Sequence, residues 1–389
     1  MSIRGRHMYA ALGLAVLLLN GWRNALSLLL NPMLNFYSLS IATPIALGMT
    51  ISSAVALMLS PTMGRLYDRR GASLPLYIAS ASQLVSGALI WFMRMFEWSV
   101  AQVFWYVGAA LGGISMTGLA LSVNPLMAAL YPSRPGLAIA FAQLGNYISM
   151  ILWPPIVVAL LRSVDVFLTL LLLSLVSVIA TALVATVLRG RAPGGRGYGE
   201  ASSETPKLFK LLLIPIFLIA SSSMMIMSFL APIISEVLLA EASSVMVLGG
   251  VAQVVGAVAW GLMLDRVDVL KALPATYLIQ TAAVLPISVY SGLQKVATPL
   301  LLCRLAAFAG EPVAHMTSIP RLFNAREMGR LLGLQNTAVM LASITAPVLG
   351  GLIRDSTGTY RAVLIASAML SLLASLIAIA ILLVNKKDE

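Results

Sequence analysis

Arg304, Glu311 and His315 are the residues of this chain best placed to do chemistry, because all three fall in one apolar stretch, residues 297–319 (ATPLLLCRLAAFAGEPVAHMTSI). Their spacings of 7 and 11 residues put them within roughly a 40° arc of a 3.6-residue helix, on one face. A guanidinium presents a planar fork of donors that matches a carboxylate. A carboxyl group one helical turn from an imidazole can exchange a proton near neutral pH. Charge at bilayer depth is costly, so such residues normally face a water-filled cavity or a partner. Arg304 is therefore read as a substrate-binding group and Glu311 and His315 as a proton-coupling pair. The competing reading is an internal salt bridge, with Glu311 neutralising Arg304 and His315 at the cytoplasmic interface.

The chain that must position them has 389 residues, 60% hydrophobic and 10% charged, with a mean hydropathy of +0.95. That is more apolar surface than one soluble core can use, and it defines a polytopic membrane protein. Apolar runs separated by Gly, Pro and charged breaks predict twelve spans, near residues 8–30, 41–63, 73–93, 100–129, 136–161, 164–188, 208–234, 244–264, 272–292, 297–319, 329–353 and 360–384. The run after Arg4 and Arg6 is too long for a removable signal peptide and is read as the first span. The net charge of +11 is scattered through short loops, which fits membrane topology and not nucleic acid. The lone Cys303 excludes an intrachain disulfide.

With the N-terminus cytoplasmic, 18 of the 25 Lys and Arg fall in inside segments and span ends, 5 in outside ones, and Arg23 and Arg304 within spans. This asymmetry predicts a cell-membrane protein with both termini cytoplasmic. The polar interruption at 189–205 (RGRAPGGRGYGEASSET) reads as a cytoplasmic linker. The expected division is a six-span bundle over 1–188, a linker over 189–207 and a second bundle over 208–389. The halves repeat. Gly64 and Asp68 recur as Gly261 and Asp265 at an offset of 197, and Gly136 and Pro154 as Gly329 and Pro347 at an offset of 193. Such duplication, with sites where the halves meet, is a transporter architecture.

GRLYDRRG at 64–71, with its weaker copy GLMLDR at 261–266, resembles the G-x-x-x-D-R-x-G loop of the major facilitator superfamily. That resemblance covers nearly the whole chain. It implies an all-α membrane fold of twelve helices in two pseudo-symmetric six-helix bundles, with spans 1, 4, 7 and 10 lining a central cavity. It also makes Gly64, Asp68, Arg69, Gly71, Gly261, Asp265 and Arg266 a cytoplasmic gate. A narrower likeness is to the monocarboxylate transporter and oxalate/formate antiporter group. It rests on NGW at 20–22, YPSRPGLAIAFAQLG at 131–145 and APVLGGLIRDSTGTY at 346–360, the last resembling that group's P-x-x-G-G-x-x-x-D-x-T-G-x-Y ending. The chain departs from it at two places. Gln253 and Ala257 stand where animal monocarboxylate carriers have an Asp and an Arg, and residues 334–337 (LQNT) lack the Lys of oxalate carriers.

Within span 1, Asn20, Arg23, Asn24, Ser27 and Asn31 are spaced by three and four and form one stripe. Along continuous helices, Arg23 and Arg304 would lie at similar depth, both roughly 22 Å from the cytoplasmic side. Two arginines against one deep carboxylate leave an excess positive charge, which an anionic substrate would balance. The alternative for Arg23 is snorkelling to the outer interface. Further candidate substrate-binding residues are Asn124, Gln143, Asn146, Tyr147, Ser223, Gln253, Gln335 and Asn336, although isolated amides and hydroxyls often only join helices.

No H-E-x-x-H, G-x-S-x-G, Walker A or Rossmann pattern occurs in a suitable context, and two histidines and one cysteine offer few ligands for a transition metal. The expectation is no enzyme, no cofactor and no metal. It is a secondary active transporter of a small organic anion, most simply a monocarboxylate, coupled to protons by alternating access and functional as a monomer in the bilayer. The rivals are an oxalate/formate-type exchanger, a drug or metabolite efflux antiporter, and a non-transporting membrane sensor.

Overall fold

The computed structural model describes residues 3–131, 135–189, 205–264, 266–289, 294–323 and 328–388. They divide into two compact units, Met1–Gly197 and Tyr198–Glu389. Residues 190–204, most of the expected linker, lie outside the described residues.

The first unit is built from α1 (Ile3–Asn20), a 3₁₀ segment (Gly21–Ala25), α2 (Ser27–Phe36), α3 (Thr43–Arg70), α4 (Ser73–Phe92), α5 (Trp98–Leu130), α6 (Pro135–Ser163) and α7 (Val166–Leu188). The second holds α8 (Lys207–Ser228), the single turn α9 (Leu230–Pro232), a π-type turn (Ile233–Val237), α10 (Ala242–Leu264), α11 (Val269–Val289), α12 (Gln294–Leu322), α13 (Met328–Thr357) and α14 (Tyr360–Asp388). Eleven helices are each long and apolar enough to cross a membrane, and α1 with α2 makes a twelfth span bent by 45°. Among the described residues the predicted all-α fold is the observed one, with twelve spans when the bent pair is counted as one.

Lipid cannot satisfy backbone groups, so each crossing closes its own hydrogen bonds and needs help only at its ends. Asp165 caps α7, its carboxylate accepting from the backbone N–H of Phe167 and Leu168 at 2.9 Å each. Gly71, the last glycine of the loop motif, ends α3 with φ +71° while its N–H donates to the Tyr67 carbonyl at 2.7 Å. That left-handed conformation strains any residue with a Cβ. Gly71→Ala should cost about 1 kcal/mol, measurable as a lowered midpoint of thermal unfolding in detergent.

The same helix pairs pack in both units, as duplication requires. α3 lies on α5 and α10 on α12, α4 on α7 and α11 on α14, α1 on α6 and α8 on α13. Small residues let these backbones approach. A Cβ on Gly113 of α5 would strike the Ser52 carbonyl of α3, and one on Gly256 of α10 would strike the Ala306 carbonyl of α12. Each unit has its own apolar core, around Leu76, Val123 and Met127 in the first and Ile219, Leu273 and Ala314 in the second.

The bend in the first span was not foreseen. There is no proline between Asn20 and Leu26, and the irregularity is held by side chains from other helices. Asn24 Nδ2 donates to the Asn146 carbonyl at 3.0 Å and to Ser149 Oγ at 2.9 Å, and Ser149 Oγ donates to the Gly21 carbonyl at 3.1 Å. Trp22 Nε1 donates to Ser177 Oγ of α7 at 2.7 Å. The backbone narrows there to a 3₁₀ turn, with Leu26 N–H donating to the Arg23 carbonyl at 3.2 Å, and these tertiary hydrogen bonds hold it, so the depth expected from a continuous helix does not apply.

Candidate functional site

In the second unit, α12 turns Arg304, Glu311 and His315 inward together, 0%, 4% and 2% exposed. The one-face expectation from their spacing holds. The partners come from α8 and α11. Arg304 Nη2 donates to Ser223 Oγ at 3.1 Å, and Ser223 Oγ in turn donates to Glu311 Oε2 at 2.9 Å. Gln280 Nε2 donates to the same Glu311 oxygen at 3.3 Å, while its Oε1 lies 3.4 Å from the Ser223 hydroxyl. No direct ion pair joins Arg304 to Glu311 among the described contacts; one serine hydroxyl stands between them. Arg304 also lies over the Phe308 ring, 5.7 Å from its centroid. Its Nε and Nη1 are buried without acceptors.

His315 does not pair with Glu311 as adjacent turns suggested. Its Nε2 shares a 2.6 Å hydrogen bond with the Tyr277 hydroxyl. Tyr277 and Gln280, three apart on α11, meet His315 and Glu311, four apart on α12, so two cross-helix bonds lace the helices. His315 is buried, 2% exposed. Tyr277→Phe leaves that imidazole nitrogen unpartnered and should destabilise the protein by about 1–3 kcal/mol, read by chemical or thermal unfolding.

In the first unit, the 3₁₀ segment carries Arg23, and the side chain stays inside the helix bundle. Its Nη2 donates to Gln83 Oε1 of α4 and to Ser115 Oγ of α5, the latter at 3.2 Å, and Nη1 reaches Asn20 Oδ1 at 3.4 Å. Arg23 does not snorkel. Every one of these acceptors is neutral. Gln83 is itself anchored, its Nε2 donating to Ser174 Oγ of α7 at 2.9 Å.

The amides expected to bind substrate are largely bonded to protein. Asn20 Nδ2 donates to the Val16 carbonyl at 2.9 Å and Thr181 Oγ1 at 3.1 Å. Gln143 Nε2 donates to Asn124 Oδ1 at 3.0 Å, and Asn146 Nδ2 to Gln143 Oε1 at 2.6 Å. Tyr147 is half-buried, Gln253 is buried, Gln335 is buried with no donor to its Oε1, and Asn336 is exposed. Of the gate motif, Gly64 and Gly261 are half-buried and Arg69 and Arg266 exposed. Asp265 and the side chain of Asp68 lie outside the described residues.

Sequence reasoning missed Gln83, Ser115, Tyr277 and Gln280, although one signal was available. Gln83 and Gln280 are 197 residues apart, the offset of the loop motif. Among the described residues no three His, Cys, Asp or Glu side chains are grouped to hold a metal ion.

This helix pairing is the fold of major facilitator transporters. The structure resembles that of a bacterial homologue of the human lysosomal transporter Spinster, with a TM-score of 0.72 at 13% identity over 98% of this chain and 97% of the other. It equally resembles a bacterial homologue of the iron transporter ferroportin, at 0.72 and 15% identity over 98% and 99% of the two chains. In sequence, the Major Facilitator Superfamily family model matches residues 212–389. None of the curated proteins matches the chain in sequence. The family matched over residues 212–389 and the fold are those of multi-pass membrane transporters and not of an enzyme.

Proposed function

We propose that the protein is a secondary active transporter of a small organic anion, in the simplest case a monocarboxylate, working by proton-coupled alternating access. The supporting observation is Arg23, a permanent cation inside a membrane-spanning segment whose acceptors are Gln83, Ser115 and Asn20, all neutral. A half-buried charge held inside the bundle without a countercharge is unfavourable, and an anion is the ligand that removes the penalty. Glu311, in a hydrogen-bonded chain with Ser223 and Arg304, is the group that would carry the proton. The cell membrane is the proposed location, with both termini cytoplasmic. The monomer is the proposed unit of transport, and Asp68 and Asp265 belong to its proposed gate.

The test is uptake of labelled acetate, lactate and oxalate into proteoliposomes under an imposed pH gradient. Uptake of a monocarboxylate with an empty lumen supports the reading; no uptake of any of them refutes it. A second reading, anion exchange, has one observation in its favour: Ser223 and Gln280 both donate to Glu311 beside Arg304, as a purely structural carboxylate would require. Uptake only into vesicles preloaded with counter-anion would select it.

A further inference from the structure

Gln83 and Gln280 occupy equivalent places in the two halves, and both are buried, at 3% and 0% exposure. Each lies on the third span of its unit, and each reaches the charged group of that unit. Their polarities are opposite. Arginine has only donors, so Gln83 meets Arg23 with its carbonyl oxygen, whereas a carboxylate has only acceptors, so Gln280 meets Glu311 with its NH₂. At the 197 offset, the counterpart of Glu311 is Ile114. The first unit therefore repeats the amide of the second but lacks the carboxylate, and its cation sits on the first span instead of the fourth.

The two arginines differ accordingly. Arg304 is completely enclosed, and its Ser223 contact ties it to a carboxylate of its own helix. Arg23 is half-buried, on a broken helix, with three of its hydrogen bonds accounted for by Asn20, Gln83 and Ser115. Of five guanidinium N–H groups, Nε–H and one at Nη1 remain, and because they lie on different edges each offers a single hydrogen bond to an anion. Interrupted spans mark binding sites in transporters because irregular backbone is tolerated where it lines a cavity.

We propose that Arg23, positioned by Gln83 and Ser115, is a receptor for a single carboxylate complete within the first half, and that Arg304 is the resident countercharge of Glu311 and not a substrate ligand. This rests on the anion-transport reading and reverses the role expected of Arg304. Gln83 is a positioning residue: its oxygen, with Ser115, fixes Nη2 and so sets the directions of the remaining Nε–H and Nη1–H donors.

Equilibrium binding of labelled acetate, lactate and oxalate to the full-length protein in nanodiscs tests it. Gln83→Glu is isosteric and installs an internal carboxylate against Arg23, so it should weaken binding of the preferred anion at least tenfold. Arg304→Gln/Glu311→Gln removes the opposing charges together and should keep binding within about threefold while abolishing uptake driven by a pH gradient. Unchanged binding by Gln83→Glu, or loss in the double variant, overturns the proposal. If Gln83→Glu does not fold, Arg23→Gln compared with the double variant decides it: loss in the first alone supports the receptor, and loss in the second alone refutes it. Failure of the wild type to bind any of the three anions refutes the anion reading itself, and the receptor with it.

Discussion

Arg23→Gln should lower carboxylate uptake by about two orders of magnitude or more at substrate concentrations below KM. Each charge-assisted hydrogen bond to the anion contributes about 1.5–3 kcal/mol, and each 1.4 kcal/mol is about a factor of ten. Fold stability should change far less. The glutamine can still reach Gln83, Ser115 or Asn20, and no carboxylate is orphaned by the loss of the cation. Arg23→Lys should fall between, with a loss of about tenfold, because a compact ammonium keeps the charge but cannot hold three protein acceptors and a ligand in one plane. Near-normal uptake by Arg23→Gln would remove Arg23 from the transport site.

The second large effect concerns stability and coupling together. Glu311→Gln strands the fully enclosed Arg304, which cannot shed its proton, and should destabilise the second half by about 3–5 kcal/mol. Arg304→Gln should cost less, because an abandoned carboxyl group can become neutral by taking up a proton while keeping the Ser223 and Gln280 contacts. Combining the two substitutions should restore most of the stability, a strongly non-additive cycle. All three variants should lose acceleration by an inward proton gradient. Thermal unfolding and gradient-driven uptake measured on the same preparations check both parts. Equal destabilisation by the two single variants would contradict the charge asymmetry, and retained gradient dependence in Glu311→Gln would contradict the proton assignment.

The twelve spans were legible because crossing a bilayer imposes long apolar runs that no local choice can hide. The inward face of α12 was legible for a similar reason: Arg304, Glu311 and His315 are conspicuous among apolar neighbours, and helical periodicity aligns them. Of their partners only Ser223 stood out as a candidate, and its pairing did not. A serine or glutamine alone in an apolar helix reads as helix glue, and Ser223 and Gln280 differ from Thr276 or Ser371 only in what lies opposite, which is tertiary information. The break at Gly21–Ala25 was hidden because Ser149, Asn146 and Ser177 on other helices hold it. That Asn124, Gln143 and Asn146 bond to one another was not legible either, since an amide engaged by its neighbours looks, in one dimension, like any other. Comparing the halves at the 197 offset would have exposed Gln83 and Gln280.

Ser223 owns a single hydroxyl hydrogen, and two acceptors compete for it: Glu311 Oε2 at 2.9 Å and Gln280 Oε1 at 3.4 Å. While Glu311 is ionised, the hydrogen points to the carboxylate. Once Glu311 carries its own hydrogen it becomes a donor to Ser223 Oγ, whose two lone pairs can also keep Arg304, and the serine rotor swings to the amide oxygen. Neither arrangement requires a heavy atom to move. Loading and unloading can thus begin as a rotation of one bond, leaving the slower rearrangement of helices to follow a switch already thrown.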